Sequence, residues 1–160
     1  MGLRTIENAS MGDFVYELRR MLNDGIRDPE VRRVAVSVTS PAGRNTEMDI
    51  FGYLKNHFRY VPDPIGRELV VSPRLLLNDI ESIGFACGDC DDISLLVASM
   101  YGSIGHEAKI VLVDEKCDGV VDHAIACVKN GYGVWMDADL SGNVPLGWVS
   151  NFKNRIDITL

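Results

Sequence analysis

The sequence predicts an α+β protein, helical in its first half and built as an antiparallel sheet in its second. Two observations carry that prediction. Before residue 105, apolar residues recur at i, i+3, i+4 and i+7 in several stretches, the spacing of one buried helix face. Beyond residue 107 the texture changes to short apolar runs divided by polar or glycine-rich turns, the pattern of strands joined by hairpins. With 160 residues, 46% of them hydrophobic and 24% charged, the chain is long enough for one sizeable core. A single domain over 1–160 is expected, with a helical lead-in (1–45), a central core (46–140) and a closing segment (141–160).

Residues 11–24 form the first expected helix, with Phe14, Leu18, Met21 and Leu22 on one face and Gly25 as its stop. Asp28-Pro29-Glu30 supplies a cap, a proline at the first helical position and an early acid. Val31, Val34, Ala35 and Val38 follow at helical spacing, although their β-branching also suits a strand. Thr46-Glu47-Met48-Asp49 has the form of a capping box ahead of Ile50, Phe51, Leu54 and Phe58. Tyr60 to Gly66 carries two prolines and cannot be helical. Leu69-Val70-Val71 is a short extended piece, Ser72 to Leu77 begins a brief helical turn, and residues 78–86 read as loop or turn. Ile93, Leu96, Val97, Met100, Tyr101 and Ile104 stripe a long helix that Gly105 ends. Three strands follow at 108–113, 122–128 and 134–138, the last two joined by the turn Asn130-Gly131-Tyr132-Gly133. Ile156, Ile158 and Leu160 alternate as a closing strand.

Composition narrows the partners. A formal net charge of −7, with no basic cluster beyond Arg19-Arg20 and Arg32-Arg33, argues against nucleic acid. No apolar run reaches the roughly 18 residues of a membrane span, so no membrane partner is expected. The first eight residues lack the apolar core of a signal peptide. A cytoplasmic location is the expectation, with a virion-associated one as the alternative. Cys87, Cys90, Cys117 and Cys127 are too few and too irregularly spaced for a disulfide framework and are read as reduced.

Chemistry concentrates at Gly88-Asp89-Cys90-Asp91-Asp92. A thiol on the first turn of a helix faces the positive end of the helix dipole, which favours thiolate. The flanking aspartates oppose this, and Asp91 and Asp92 are read as caps of the helix. A cysteine nucleophile needs a base, and the base needs a group that orients it. His123 opens the second strand of the C-terminal half. Counting through the hairpin sets Asp137 at about its level on the neighbouring strand, close enough to accept a hydrogen bond. His57 and His106 are read as structural or surface residues, His106 without a comparable partner.

Taken together, G-D-C-D-D, D-H-A-I-A-C-V and V-W-M-D-A resemble the transglutaminase-like superfamily of papain-type cysteine enzymes. The segment Tyr60-Val61-Pro62-Asp63-Pro64, with Gly66, Glu68 and Pro73, is similar to the lead-in of its small bacterial and phage members. The likeness runs from about residue 46 to 140. It implies a papain-like core, with the cysteine-bearing helix packed on the antiparallel sheet. It also implies a Cys90–His123–Asp137 triad performing acyl transfer on an amide or peptide bond, hydrolysis being the expected outcome. The backbone N–H of Cys90 is the natural first oxyanion donor. Papain-like enzymes take a second from an upstream glutamine, but this chain has none, and Tyr60 or another backbone N–H is left as the candidate. No cofactor is expected, and the partner is a peptide or protein substrate.

Two other classes stand beside this reading. One is a phage virion or assembly protein that retains the fold without catalysis, with phage structural proteins as partners. The other is a thiol–disulfide oxidoreductase using Cys87-Gly88-Asp89-Cys90, which would want a strand before the motif and a facing proline. A zinc site from Cys87, Cys90, Cys117 and either Cys127 or His123 lacks the tight second pair of structural zinc sites.

Overall fold

The first long helix shows why the N-terminal half folds as it does. Ser10 accepts from the N–H of Asp13, and the Asp13 carboxylate accepts from the N–H of Ser10, a reciprocal cap that starts α1 (Met11–Arg27). Leu18, Met21 and Leu22 face inward from it. Asp28 then caps α2 (Pro29–Val38) through the N–H of Glu30 and holds the Arg74 guanidinium with two 2.7 Å hydrogen bonds. The β-branched run here is therefore helical, burying Val31, Val34 and Ala35. The computed structural model describes residues 3–6, 10–43, 45–148 and 152–160. The reading of the first eight residues as free of a signal peptide thus falls partly outside the described residues, as does part of the closing segment.

Several boundaries differ from the sequence expectation, each for a physical reason. The helical lead-in begins with a strand, β1 (Leu3–Ile6), paired antiparallel with β3 (Glu68–Val71) far along the chain. Asn45, not Thr46, occupies the N-cap position of α3 (Thr46–His57), without a side-chain capping bond, and Asp49 accepts from the N–H of Ser40 rather than closing a box. After β2 (Phe58–Tyr60), the expected brief turn at residue 72 is a full helix, α4 (Pro73–Ile83), which buries Leu76, Leu77 and Ile80. Gly84, with φ of 89°, ends α4 in the left-handed conformation and leads into β4 (Ala86–Gly88). β4 runs parallel to β2.

The central helix, α5 (Cys90–Ser103), is the core of the molecule. Leu95, Leu96, Val97, Ala98, Met100 and Tyr101 along it are completely buried. α1, α2, α3 and α4 pack around it on one side, and the sheet covers the other. Gly25 is no helix stop but the point where α1 touches α5. A Cβ there would lie 2.3 Å from Ser99 Oγ and 2.9 Å from Ser99 Cβ. Gly25→Ala should therefore destabilise the protein by about 1–3 kcal/mol despite its better helix propensity, read as a lower urea midpoint at unchanged slope.

The sheet has the order β7–β6–β5–β8 and is antiparallel throughout, from β5 (Ala108–Asp114), β6 (His123–Lys129), β7 (Trp135–Ala138) and β8 (Lys153–Ile158). Strand alternation divides its two faces. Ala124, Ala126 and Val128 join the main core with α5, while Val111, Val113, Ile125 and Cys127 form a smaller cluster on the opposite face with Phe152. The result is an α+β fold. Among the described residues, no helix is long and apolar enough to cross a membrane.

Candidate active site

Cys90 is the first residue of α5, and the turn around it is held by carboxylates. Asp89 is the N-cap, accepting from the N–H of Asp91 at 3.3 Å. The N–H of Asp89 donates to Asp92 at 3.1 Å, completing a capping box, and the other Asp92 oxygen accepts from the N–H of Val71 at 2.7 Å. Asp92 thus pins the start of α5 to β3. Only glycine fits at position 88, since a Cβ there would lie 2.5 Å from the Asp92 carboxylate. Asp91, expected as a second cap, is different: it is 3% exposed, and neither carboxylate oxygen has a hydrogen-bond partner.

His123 is the first residue of β6, 7% exposed, and lies at the end of the sheet where α5 begins. The two elements are stapled just there. Ser94, one turn into α5, donates from its hydroxyl to the carbonyl of Ala124 at 3.0 Å, and the N–H of Ala124 faces the Cys90 thiol. Cys90 and His123 both line a cleft of about 540 Å³, together with Tyr60. Tyr60 and His123 also line a second cavity of about 390 Å³ that holds Asp139 and Trp148.

The acid on His123 is Asp139, not the expected Asp137. His123 Nε2 lies 3.0 Å from Asp139 Oδ2, and Ser141 donates to the other Asp139 oxygen from both its N–H and its hydroxyl. Asp137 lies directly opposite Cys127 and binds the Cys127 thiol and Arg155. The reason is register. The N–H of Asn130 donates to the carbonyl of Val134, so the strands count outward from that closure, with Lys129 opposite Trp135 and Cys127 opposite Asp137. Asp139 shares the strand face of Asp137 and lies diagonally across from His123. Strict counting through the turn, a signal present in the sequence, finds it.

The electrostatics set the resting state. Burial works against charging His123, but the hydrogen bond and charge of Asp139 outweigh it and raise the His123 pKa. Burial, and then the negative charge of Asp89, push the Cys90 thiol up to about 12, while the N–H of Ala124 pulls the other way. The dipole of α5 does not overcome this, so the resting Cys90 is a thiol, contrary to the thiolate expected from its helix position. Burial and the charges of Cys90 and Asp89 push Tyr60 to about 12, which leaves its hydroxyl a donor. The Cys90 N–H, at the first helical position, is likewise one of the donors a helix start leaves unpaired.

The remaining expectations resolve simply. His57 bonds the carbonyl of Tyr53 at 2.7 Å and stacks on its ring. His106 is not unpartnered: Thr46 Oγ1 lies 2.9 Å from its ring and Glu47 3.9 Å. A short strand, β4, where the sequence reads loop up to residue 86, runs into Cys87-Gly88-Asp89-Cys90, and Cys87 lies exposed on it. Cys117 is exposed in the turn after β5, and Cys127 is buried on the outer sheet face, so the four cysteines do not assemble a zinc site. Among the described residues, the close groups of ligating side chains are all carboxylates. Asp63, Glu68 and Asp89 form one and Asp89, Asp91 and Asp92 the other, each with oxygens within 4.8 Å of one another. Such donors suit a hard cation rather than zinc.

No protein-family model and no curated protein matches the sequence. The functional reading therefore stands on the geometry alone.

Proposed function

We propose that the protein is a cysteine-dependent acyl-transfer enzyme acting on an amide or peptide bond, with a papain-like, transglutaminase-like core and hydrolysis as its outcome. The observation that carries this reading is that Cys90 at the head of α5 and His123 at the head of β6 line one cleft, while Asp139, just past β7 in the adjoining cavity, holds the His123 ring. With Nε2–H donated to Asp139, His123 Nδ1 keeps the lone pair and can act as base. Because the resting thiol is protonated, His123 takes the Cys90 proton as sulfur bonds to the carbonyl carbon. The tetrahedral oxyanion is met by the N–H of Cys90 and, as second donor, the Tyr60 hydroxyl. The C–N bond breaks as Nδ1–H protonates the leaving amine. Water, deprotonated by the same nitrogen, adds to the thioester and releases the acid, restoring the thiol.

A binding module that retains the fold, such as a virion or assembly protein, is the second reading, and the Cys90 pKa of about 12 is the observation in its favour. One experiment separates the two. p-Nitrophenyl acetate should give a stoichiometric burst of p-nitrophenol, with the acetyl group mapped to Cys90. Cys90→Ala and His123→Ala should lack the burst, and Ala at Cys87, Cys117 or Cys127 should keep it. Equal acetylation of all four thiols, or a burst indifferent to His123, would leave the binding module.

A further inference from the structure

The wall of the cleft beside Cys90 is acidic to a degree that capping does not explain. Asp63, Glu68, Asp89 and Asp91 all line it. Asp63 accepts from the N–H of Leu69 and Asp89 from that of Asp91, but among the described residues none of the four carboxylates has a basic side chain bonded to it. The two other charged residues of the lining do not change this. Asp122 is already paired with Lys116 at 3.1 Å, and Arg67 is exposed on the rim. The fold creates the cluster on purpose of position: the turn before β3 carries Asp63, β3 carries Glu68, and the start of α5, pinned to β3 by Asp92, carries Asp89 and Asp91.

Asp91 is the second and independent observation. Its carboxyl lines the cleft, 3% exposed, and neither oxygen meets a partner at full hydrogen-bond geometry. A buried carboxyl with nothing bonded to it costs free energy unless something arrives to bond it. Burial, then the Asp89 side chain through hydrogen bonding and charge, and then the charges of Asp92 and Glu68 raise its pKa, so it keeps its proton. A cation seated against it removes that penalty. The lining also offers apolar surface from Phe14, Leu112 and Val121, which suits the alkyl stem of a side chain whose charge is at its tip.

We propose that this cleft selects acyl donors in which the residue carrying the scissile carbonyl is basic, lysine or arginine. Its stem would lie on the apolar wall and its cationic head among Asp63, Glu68, Asp89 and Asp91. The inference rests on the acyl-transfer reading above and names the substrate class of that site. Asp89 and Asp91 flank the nucleophile, so the side chain nearest the attacked carbonyl is the one within their reach.

The test uses N-acetyl p-nitrophenyl esters of lysine, norleucine and glutamate, at low salt with EDTA present to keep divalent cations off the carboxylates. Norleucine matches the lysine stem without the charge. Lysine should exceed norleucine at least tenfold in kcat/KM and glutamate by more. Salt should erode the difference, and the double variant Asp63→Asn, Glu68→Gln should bring the lysine-to-norleucine ratio toward one. Equal rates for the three esters, with the burst still dependent on Cys90 and His123, would overturn the basic specificity and leave the acyl-transfer reading standing. A lysine preference that the double variant leaves intact would also overturn it. Absence of a Cys90-dependent burst with every ester would instead remove the acyl-transfer reading on which the specificity depends.

Discussion

Asp139→Ala should, on the proposed acyl-transfer chemistry, lower kcat/KM on an activated amide or ester by about 10³–10⁴, the loss expected when a catalytic histidine loses its orienting acid. On that proposal Asp139 acts through His123, whose Nε2 it holds at 3.0 Å, which leaves Nδ1 as the nitrogen to take a proton. It is itself held by Ser141, so the ring has one orientation available rather than several. The variant should also move the acid limb of the pH–rate profile. The base must be neutral to work, and Asp139 raises the His123 pKa, so wild-type activity rises through a pKa above the ordinary histidine value. Removing the carboxylate should shift that limb to lower pH while the plateau collapses. Asp137→Ala provides the contrast. It strips Cys127 and Arg155 of their partner and should cost about 1–3 kcal/mol of stability, with the acid limb unmoved. If Asp137→Ala shifts the limb and Asp139→Ala does not, the orienting role assigned to Asp139 is wrong.

The melting temperature should rise as the pH falls from 8 to 5.5, the reverse of the usual acid sensitivity. Asp92 is 1% exposed, and burial pushes its carboxyl from 3.8 up to about 7, against the pull of the two N–H groups it accepts from. A carboxyl whose folded pKa is raised binds its proton more tightly in the folded state. Its stabilising effect is fully present below 3.8 and is lost as the pH climbs through 7. Asp63 and Glu68 are shifted the same way, mainly by burial. His123, also raised, adds stability that is likewise lost as the pH rises through its folded value. The opposing groups, Asp28 and Asp139, lie below the usual carboxylate value and weaken the fold only in stronger acid. For Asp92 alone the gain between pH 8 and 5.5 is about 2 kcal/mol, or roughly 4–8 °C for a chain of this size. A flat or falling melting temperature over that interval, by calorimetry or circular dichroism, would show that Asp92 is not buried as described.

What could be read from the sequence was what is local. The stripe from Ile93 to Ile104 announces α5, and Asp28-Pro29-Glu30 announces the start of α2, because periodicity and capping act within a few residues. α4 was foreshortened because Pro73 marks a start but the packing of Leu76, Leu77 and Ile80 against distant helices sustains the rest. β1 has no local signal at all, since its partner lies beyond three intervening helices and a strand. The site divides along the same line. Cys90 and His123 follow from residue type and element, whereas the acid depends on register, in which a shift of two residues exchanges Asp137 for Asp139. The carboxylates of the cleft wall were the least legible, because β3 and the head of α5 bring Asp63 and Glu68 to Asp89 and Asp91 only in three dimensions.

The seam fastened by Ser94 and Ala124 has a consequence for the life of the chain on the ribosome. The thiol belongs to α5, and the base and orienting acid proposed for it come later in the chain, from the start of β6 and the segment just after β7. A nascent chain that has made α5 alone carries, on the proposed chemistry, a sulfur without its base, unassisted until the later strands dock. On the proposed chemistry, competence to react arrives together with completion of the fold, and a truncated product would be silent rather than harmful.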